Sequence, residues 1–145
     1  MYILEIGFAT PEFDEAVRLR TDVLRKPLGL VFTPEQLAEE YDQRHLGAYD
    51  DQGQLLGCLS LVLLDEHVWK MRQVAVAEAA QGKGVGTKLV DYSEALARRE
   101  GLRLMTLHAR ESAVPFYLKL DYRVVGERFE EVGIPHFKME KLIAG

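Results

Sequence analysis

Three glycines and a lysine stand within residues 81–86, in the run QGKGVG. Glycines at alternate positions leave backbone N–H groups open to approach from outside, and Lys83 adds a positive charge. A strand pattern precedes the run and a helix pattern follows it, so several N–H groups should converge at a helix N-terminus, where anions bind. The run predicts a site for phosphate or pyrophosphate, with a plain strand-to-helix turn as the alternative.

Counting along this run excludes two nucleotide-binding motifs. A Walker loop, G-x-x-x-x-G-K-[ST], needs a glycine five residues after Gly82, where Thr87 stands. The dinucleotide fingerprint G-x-G-x-x-G fails at the same residue, because Gly82 and Gly84 fit but Thr87 occupies the third glycine position. The anion site is therefore not that of a nucleotide-binding fold of either kind.

Composition indicates one globular domain over residues 1–145. The chain is 48% hydrophobic and 28% charged, which is ordinary for a soluble protein. Its first residues, MYILEIGF, do not form a signal peptide, and no apolar run approaches the roughly 20 residues that cross a bilayer. We expect no membrane partner.

Cysteine and histidine usage argues against a disulfide and a metal site. Cys58 is the only cysteine and lies in the apolar run LLGCLSLVLL, so we expect a core residue in a protein of the reducing cytoplasm. Four scattered histidines give no metal-ligand spacing, and no metal cofactor is expected.

The net charge of −5 argues against nucleic acid as a partner, but the charges are unevenly spread. Residues 1–66 carry a balance of −8 and residues 111–145 a balance of −1, whereas residues 67–110 carry +4. The basic third contains the glycine run, which suits a bound anion, although solvated charges also vary this much by chance.

Capping signals and periodicity predict the elements that position these residues. Thr10-Pro11-Glu12 opens a helix and Thr33-Pro34-Glu35-Gln36 is a capping box for a second. In the third helix Val85, Leu89, Tyr92 or Ser93, and Leu96 share one face, and Gly101 stops it. The predicted order is β α α β β β α β α β β. The predicted strands lie near residues 2–8, 46–49, 54–64, 68–76, 102–108, 122–129 and 136–142. The predicted helices lie near residues 10–26, 33–41, from the glycine run to about 100, and 113–120.

Two segments resemble motifs of the GCN5-related N-acetyltransferases (GNAT). The Q-x-x-G-x-G run after a strand ending in V-A-V resembles motif A, and residues 113–122, AVPFYLKLDY, resemble the family's A-x-x-F-Y-x-K-x-G-F segment. The resemblance covers nearly the whole chain. It implies an α/β (α+β) fold with one mixed, mostly antiparallel sheet, helices on both faces, and acetyl-CoA as co-substrate. Homodimers are common in the family.

The resemblance also implies roles for individual residues. Tyr117 would protonate the departing thiolate, for which a phenol has a suitable pKa. The strand that ends in V-A-V would pair with the pantetheine arm, and the glycine run would wrap the pyrophosphate through its backbone N–H groups. A backbone N–H at or near Val76 would polarise the thioester carbonyl. The implied cofactor-binding residues are Val74, Ala75, Val76, Gln81, Gly82, Lys83, Gly84, Val85, Gly86 and Thr87.

The general base is less clearly marked. The strands that carry an acid in some family members offer none here, so His136 is the chosen candidate, with His108 a lesser one and waters a third route. Carboxylates in and around FEEVGIPH lie in the same predicted hairpin, which borders the acceptor side in the family. They are Glu127, Glu130 and Glu131.

Two positions depart from the family pattern. Arg110 replaces an asparagine that often contacts the cofactor, so that contact is not carried over. Asp121 replaces a glycine in a turn, and aspartate tolerates the left-handed conformation.

Function is then predicted as acetyl transfer to a primary amine, with a non-catalytic CoA-binding module and an unrelated phosphate-binding protein as alternatives. Acidic side chains near the second helix would either attract a cationic acceptor or form a solvated face, which is the more common outcome. These are Glu35, Glu39, Glu40 and Asp42.

Overall fold

The computed structural model describes residues 1–143 and contains one seven-stranded sheet. The strands, in chain order, are β1 Tyr2–Ile6, β2 Arg44–Tyr49, β3 Leu55–Asp65, β4 Val68–Val76, β5 Leu104–Arg110, β6 Arg123–Glu131 and β7 Ile134–Leu142. Their order across the sheet is β1-β2-β3-β4-β5-β7-β6. The pairs β1/β2, β2/β3, β5/β7 and β6/β7 are antiparallel and β4/β5 is parallel, which confirms the predicted mixed sheet.

Four α-helices lie between the strands. They are α1 Pro11–Arg20, α2 Pro34–Ala38, α3 Val85–Arg99 and α4 Val114–Lys119. Short 3-10 turns cover Lys26–Leu28, Glu78–Ala80 and Glu111–Ala113, and a π-helical turn covers Thr21–Arg25. With these turns set aside, the element order is the one that the sequence predicts.

The described chain forms two compact units. Unit 1 comprises Met1–Val62 and Gln73–Ser93, and unit 2 comprises Leu63–Arg72 and the residues from Glu94 onward. The single-domain assignment of residues 1–145 stays a prediction, and residues 144–145 lie outside the described part.

The first helical segment differs from the prediction in its second half. Thr10 Oγ accepts a hydrogen bond from the Phe13 N–H at 3.2 Å and starts α1, but the regular α-helix ends at Arg20. Thr21–Arg25 is π-helical, ahead of Pro27, which has no N–H with which to continue the α-helical ladder. The segment stops at Gly29, whose φ of 71° is left-handed.

Helix α2 has the predicted capping box but is shorter than expected. Thr33 Oγ accepts from the Gln36 N–H at 3.1 Å, and Gln36 Oε1 accepts from the Thr33 N–H at 2.9 Å. After Ala38 the chain passes into turns, with the Glu40 N–H bonded to Leu37 O and the Gln43 N–H bonded to Glu40 O. These turns replace the expected last helical turn and bury the side chain of Glu40.

Each unit buries its own apolar side chains. In unit 1, Ile6, Phe13, Ala16, Cys58 and Ala75 form a cluster. Cys58 is a core residue, as predicted, and burial raises the pKa of its thiol to about 12. In unit 2, Leu107 and Met139 face each other across β5 and β7 and are almost fully buried.

The predicted apolar face of α3 is confirmed, with Ser93 rather than Tyr92 in the buried set. Val85, Leu89, Ser93 and Leu96 are all buried. The helix ends at Arg99, and the left-handed Gly101 follows as the predicted stop, with the Leu102 N–H bonded to Ala97 O at 2.9 Å.

Candidate active site

The glycine run lies in unit 1, as an exposed loop that leads into α3. Gly82 and Gly84 have φ values of 77° and 82°, so both occupy the left-handed region that other residues avoid. No atom lies within 4 Å of a Cβ built on either glycine. Glycine is therefore required here by the backbone conformation and not by lack of space. Lys83 and Lys88 are exposed beside the run and make it positive.

Packing on neighbouring strands holds this loop next to the end of β4. Gln81 Nε2 donates to Val76 O at 3.1 Å, and the Ala77 N–H donates to Leu56 O at 2.8 Å. A Cβ at Gly57 on β3 would lie 3.0 Å from Leu89 and Val85 of α3 and from Ala75 O, so the first turns of α3 lie directly on the backbone of β3. The predicted cofactor residues of β4 and the glycine run are thus brought together in unit 1.

Strand β4 carries a feature that its sequence does not signal. Gln73 has a φ of 56°, a left-handed value that is uncommon for a non-glycine residue and irregular within a strand. The register pairs of β4 with β5 run from Val68↔Leu104 to Met71↔Leu107, whereas β4 continues to Val76. After Gln73, Ala75 is buried and Val74 and Val76 are partly exposed. No residue type in MRQVAV favours a left-handed backbone, so only the structure reveals this irregularity.

Tyr117 lies in unit 2, on α4, where it is buried against two aromatic rings. Its ring centroid is 4.9 Å from that of Phe116 and 5.7 Å from that of Tyr122, both in edge-on geometry. Burial raises the pKa of Tyr117 above its usual value of 10. The phenol therefore keeps its proton at neutral pH and can act as a hydrogen-bond donor or a proton donor.

The buried carboxylate of Glu94 binds the tyrosine that packs against Tyr117. The Tyr122 hydroxyl donates to Glu94 Oε2 at 2.9 Å, and Lys141 Nζ donates to Glu94 Oε1 at 2.9 Å. Lys141 Nζ also donates to Leu120 O at 2.9 Å. These contacts hold the Tyr122 ring in place, and Tyr122 in turn packs on Tyr117. The turn after α4 contains Asp121 with a φ of 70°, which confirms the expected left-handed residue.

The structure brings three of the candidate bases together in unit 2. Glu131 Oε1 lies 3.0 Å from His108 Nδ1, and Glu131 Oε2 lies 3.6 Å from His136 Nε2. His136 Nδ1 donates to Ile134 O at 3.0 Å. Lys70 Nζ lies 3.3 Å from His108 Nδ1. We call His108, Glu131, His136 and Lys70 the Glu131 cluster.

Charges within the Glu131 cluster act on one another. Partial burial would raise the pKa of Glu131, but the hydrogen bond from His108 and the charges of His108, His136 and Lys70 outweigh it, so the pKa lies below its ordinary value. Burial lowers the pKa of Lys70, and the nearby charge of Arg72 lowers it further. The cluster is thus one carboxylate surrounded by groups that can carry positive charge.

The acidic residues near α2 separate into two kinds. Glu35, Glu39 and Asp42 are exposed, as expected of a solvated face. Glu40 is buried in unit 1, where it forms an ion pair with Arg20, and its backbone oxygen lies 3.2 Å from His45 Nε2. Burial lowers the pKa of His45, so this imidazole is neutral near pH 7. Sequence periodicity did not distinguish Glu40 from its exposed neighbours.

Comparison with known proteins identifies the family. The sequence profile of the acetyltransferase (GNAT) domain matches residues 19–143. The chain belongs to the GNAT family. A candidate acetyltransferase of Bacillus subtilis (strain 168) is 30% identical over 122 residues, which are 77% of this chain and 82% of that protein.

Two solved structures support this assignment. An acyl-CoA N-acyltransferase from Pseudomonas aeruginosa is 27% identical, with a TM-score of 0.78 and coverage of 97% of this chain and 98% of that one. An aminoglycoside 6'-N-acetyltransferase complexed with coenzyme A has the same fold, with a TM-score of 0.83, 19% identity and coverage of 100% and 98%. The GNAT chain is an N-acetyltransferase, which confirms the predicted fold and enzyme class. In the described part of the chain, no helix is long and apolar enough to span a membrane.

Proposed function

We propose that this N-acetyltransferase moves an acetyl group from acetyl-CoA to a primary amine by direct attack in a ternary complex. The observation that carries the proposal is the exposed glycine loop, in which Gly82 and Gly84 turn the backbone left-handed beside Lys83 and ahead of α3. Such a loop presents backbone N–H groups and a helix N-terminus to an anion, as a pyrophosphate requires. A structural neighbour with this fold was solved with coenzyme A, which supports the choice of ligand.

The residues suit the parts of acetyl-CoA, whose thioester supplies the acetyl group. We assign the pantetheine arm to the end of β4 at Val74, Ala75 and Val76, which follow the left-handed residue Gln73 and the last register pair with β5, Met71↔Leu107. A peptide-like arm can hydrogen-bond to strand backbone as an added strand does. The pyrophosphate is assigned to the loop residues Gln81, Gly82, Lys83, Gly84, Val85, Gly86 and Thr87.

Acetyl transfer further needs a donor for the leaving sulfur and an acceptor for the ammonium proton. We assign the donor role to Tyr117 because of its place in the AVPFYLKLDY segment, and burial keeps its phenol protonated at neutral pH. Since burial also makes this phenol a weaker acid, its proton is passed to the sulfur as a proton of the reacting nitrogen replaces it. The proton acceptor is assigned to the Glu131 cluster, which contains His136, the candidate base chosen from the sequence. The proposal includes a cytoplasmic location, with which the single buried Cys58 is compatible, and a homodimer.

The acetyl donor and the role of Tyr117 are tested in one assay. The protein is incubated with acetyl-CoA and a panel of amines (a polyamine, an aminoglycoside and a lysine peptide), and free CoA thiol is measured with a thiol reagent. Cys58 does not interfere, because it is buried with a pKa of about 12. We expect amine-dependent thiol release that falls by about 10²-fold or more in Tyr117→Phe, while CoA still raises the melting temperature.

Tyr41→Phe is the matched control, since Tyr41 is well exposed in unit 1 and should leave the rate unchanged. Stabilisation by CoA without turnover of any amine would indicate a CoA-binding module instead. If CoA does not raise the melting temperature at all, both proposals fail.

A further inference from the structure

Within the Glu131 cluster, we propose that His108 is the general base that accepts the proton of the ammonium substrate and that Glu131 positions its imidazole. This inference rests on the proposed acetyl transfer. It assigns the catalytic proton transfer to His108 and gives Glu131 and His136 supporting roles.

The hydrogen bonds of His108 decide which of its nitrogens is available. Glu131 Oε1 lies 3.0 Å from Nδ1, and Lys70 Nζ lies 3.3 Å from the same atom. A carboxylate oxygen can only accept, so we assign the proton to Nδ1 on the shorter contact, and Lys70 Nζ then does not donate to Nδ1. A neutral imidazole with its proton on Nδ1 has its lone pair on Nε2. Glu131 therefore selects the tautomer in which Nε2 is the base, and its charge stabilises the imidazolium that forms when Nε2 takes a proton.

His136 is less suited to exchange a proton with a substrate. Its Nδ1 is occupied by Ile134 O and its Nε2 faces Glu131 Oε2. The side chain of His136 is only 4% exposed, whereas that of His108 is 29% exposed. His136 thus lies beside the second oxygen of Glu131 and is closed to solvent, while His108 is open to solvent and its Nε2 makes no hydrogen bond within residues 1–143.

The position of His108 on its strand suits this role. The parallel pairing of β4 and β5 ends at Met71↔Leu107, so His108 is the first residue of β5 beyond the last pair. Beyond that pair β5 continues along β7, where His108 is the register partner of Lys138. The ring of Phe129 packs against His108 edge-on at 4.9 Å and fixes the plane of the imidazole.

The charged groups around His108 come from three other strands. Lys70 and Arg72 lie on β4, Glu131 on β6, and His136 and Lys138 on β7, where Lys138 is the register partner of His108. Glu131 is the anion of this set. It offsets the like charges that an imidazolium at His108 would meet, and the surrounding cations favour release of the proton to solvent once the amine has reacted.

The proposed reaction moves two protons from the substrate ammonium, one to His108 and one to Tyr117. One proton of the ammonium passes to His108 Nε2, and the amine nitrogen then forms a bond to the carbonyl carbon as the carbon–sulfur bond breaks. The leaving sulfur takes the proton of Tyr117, and a second proton from the reacting nitrogen restores the Tyr117 phenol. His108 passes its proton to solvent. The products are the N-acetyl amide, CoA thiol and one proton.

The test compares two variants with a matched pair of controls. His108→Asn and Glu131→Gln are set against His67→Asn and Glu66→Gln, because His67 and Glu66 form a similar but exposed pair, with 3.9 Å between His67 Nε2 and Glu66 Oε2. For each protein, kcat and KM for the amine are measured across pH, together with the melting-temperature shift caused by CoA.

We expect His108→Asn to lower kcat by about 10²-fold or more with an unchanged shift by CoA, and added imidazole to restore part of the rate. In Glu131→Gln the acidic limb of the pH–rate profile should move to lower pH, because the carboxylate no longer stabilises the imidazolium. A purely structural role would not move that limb. The control variants should behave as the wild type.

Two results would overturn the inference while leaving acetyl transfer intact. One is a rate and a pH profile in His108→Asn within about threefold of the wild type. The other is a ¹⁵N NMR spectrum of the imidazoles that places the proton of neutral His108 on Nε2, a result that needs no turnover. A wild-type protein that acetylates no amine would overturn both the inference and the proposed function.

Discussion

The buried ion pair between Arg20 and Glu40 gives the sharpest prediction about stability. The two side chains are 2% and 5% exposed, and Arg20 Cζ also lies 4.6 Å from the centroid of the Phe32 ring. Replacing Glu40 by glutamine keeps the volume but removes the negative charge. Arg20 is then a buried cation without its counter-ion, which costs about 3–5 kcal/mol in proteins.

For a chain of this size, we expect Glu40→Gln to lower the free energy of unfolding by about 3 kcal/mol and the melting temperature by roughly 6–12 °C. The measurement is urea denaturation followed by Trp69 fluorescence and far-UV circular dichroism. Glu5→Gln is the control, because Glu5 and Arg44 form a two-point ion pair that is 43% and 35% exposed. That change should cost less than about 1 kcal/mol.

The double variant Arg20→Met/Glu40→Leu separates a missing counter-ion from lost packing. Arg20 Nε and Glu40 Oε1 have no hydrogen-bond partner within the described residues, so the pair does not recover all of its desolvation cost. Removing both charges should therefore restore the stability to within about 2 kcal/mol of the wild type. The reasoning is refuted if Glu40→Gln costs no more than Glu5→Gln, or if the double variant is less stable than Glu40→Gln.

Two further predictions concern the proposed site. Gly82→Ala and Gly29→Ala both place a side chain at a left-handed residue in open space, so each should lower the free energy of unfolding by about 1–2 kcal/mol. Only Gly82→Ala should also weaken CoA binding, by about tenfold as measured by calorimetry. Equal affinities in the two variants would argue against the loop as the pyrophosphate site. Tyr122→Phe removes the hydrogen bond to Glu94 that holds the ring packed on Tyr117. It should lower kcat several-fold and leave KM for acetyl-CoA unchanged, because Tyr117 is then less well positioned. The buried control Tyr49→Phe should not alter kcat. An unchanged kcat in Tyr122→Phe would show that Tyr117 needs no support from Tyr122.

Much of the fold was predictable because its signals are local. The capping residues Thr10 and Thr33 act within three positions of themselves, and a left-handed stop such as Gly101 depends on its own backbone angles. Ser93, which periodicity could not separate from Tyr92, turns inward because packing and not helical spacing decides between adjacent positions. The π-helical turn before Pro27 and the early end of α2 also depend on what surrounds them.

The candidate site also contains features that the sequence predicted and features that only the structure shows. The glycine loop and Tyr117 were identified from sequence, since each lies in a short motif with its own spacing. The left-handed backbone at Gln73 was not predicted, because no residue type in that strand requires it. The pairing of Arg20 with Glu40 was not either, because the two residues come from different helical segments and meet only when both are buried.

The sequence by itself determined the family, the order of the elements and the position of the glycine loop to which we assign the pyrophosphate. These features depend on patterns in which each residue acts over a few neighbours. Tertiary structure decided which of the candidate bases belong together, because the registers of β5, β6 and β7 bring His108, Glu131 and His136 into one cluster. It also decided their access to solvent, since burial depends on the packing of strands that are distant in the chain.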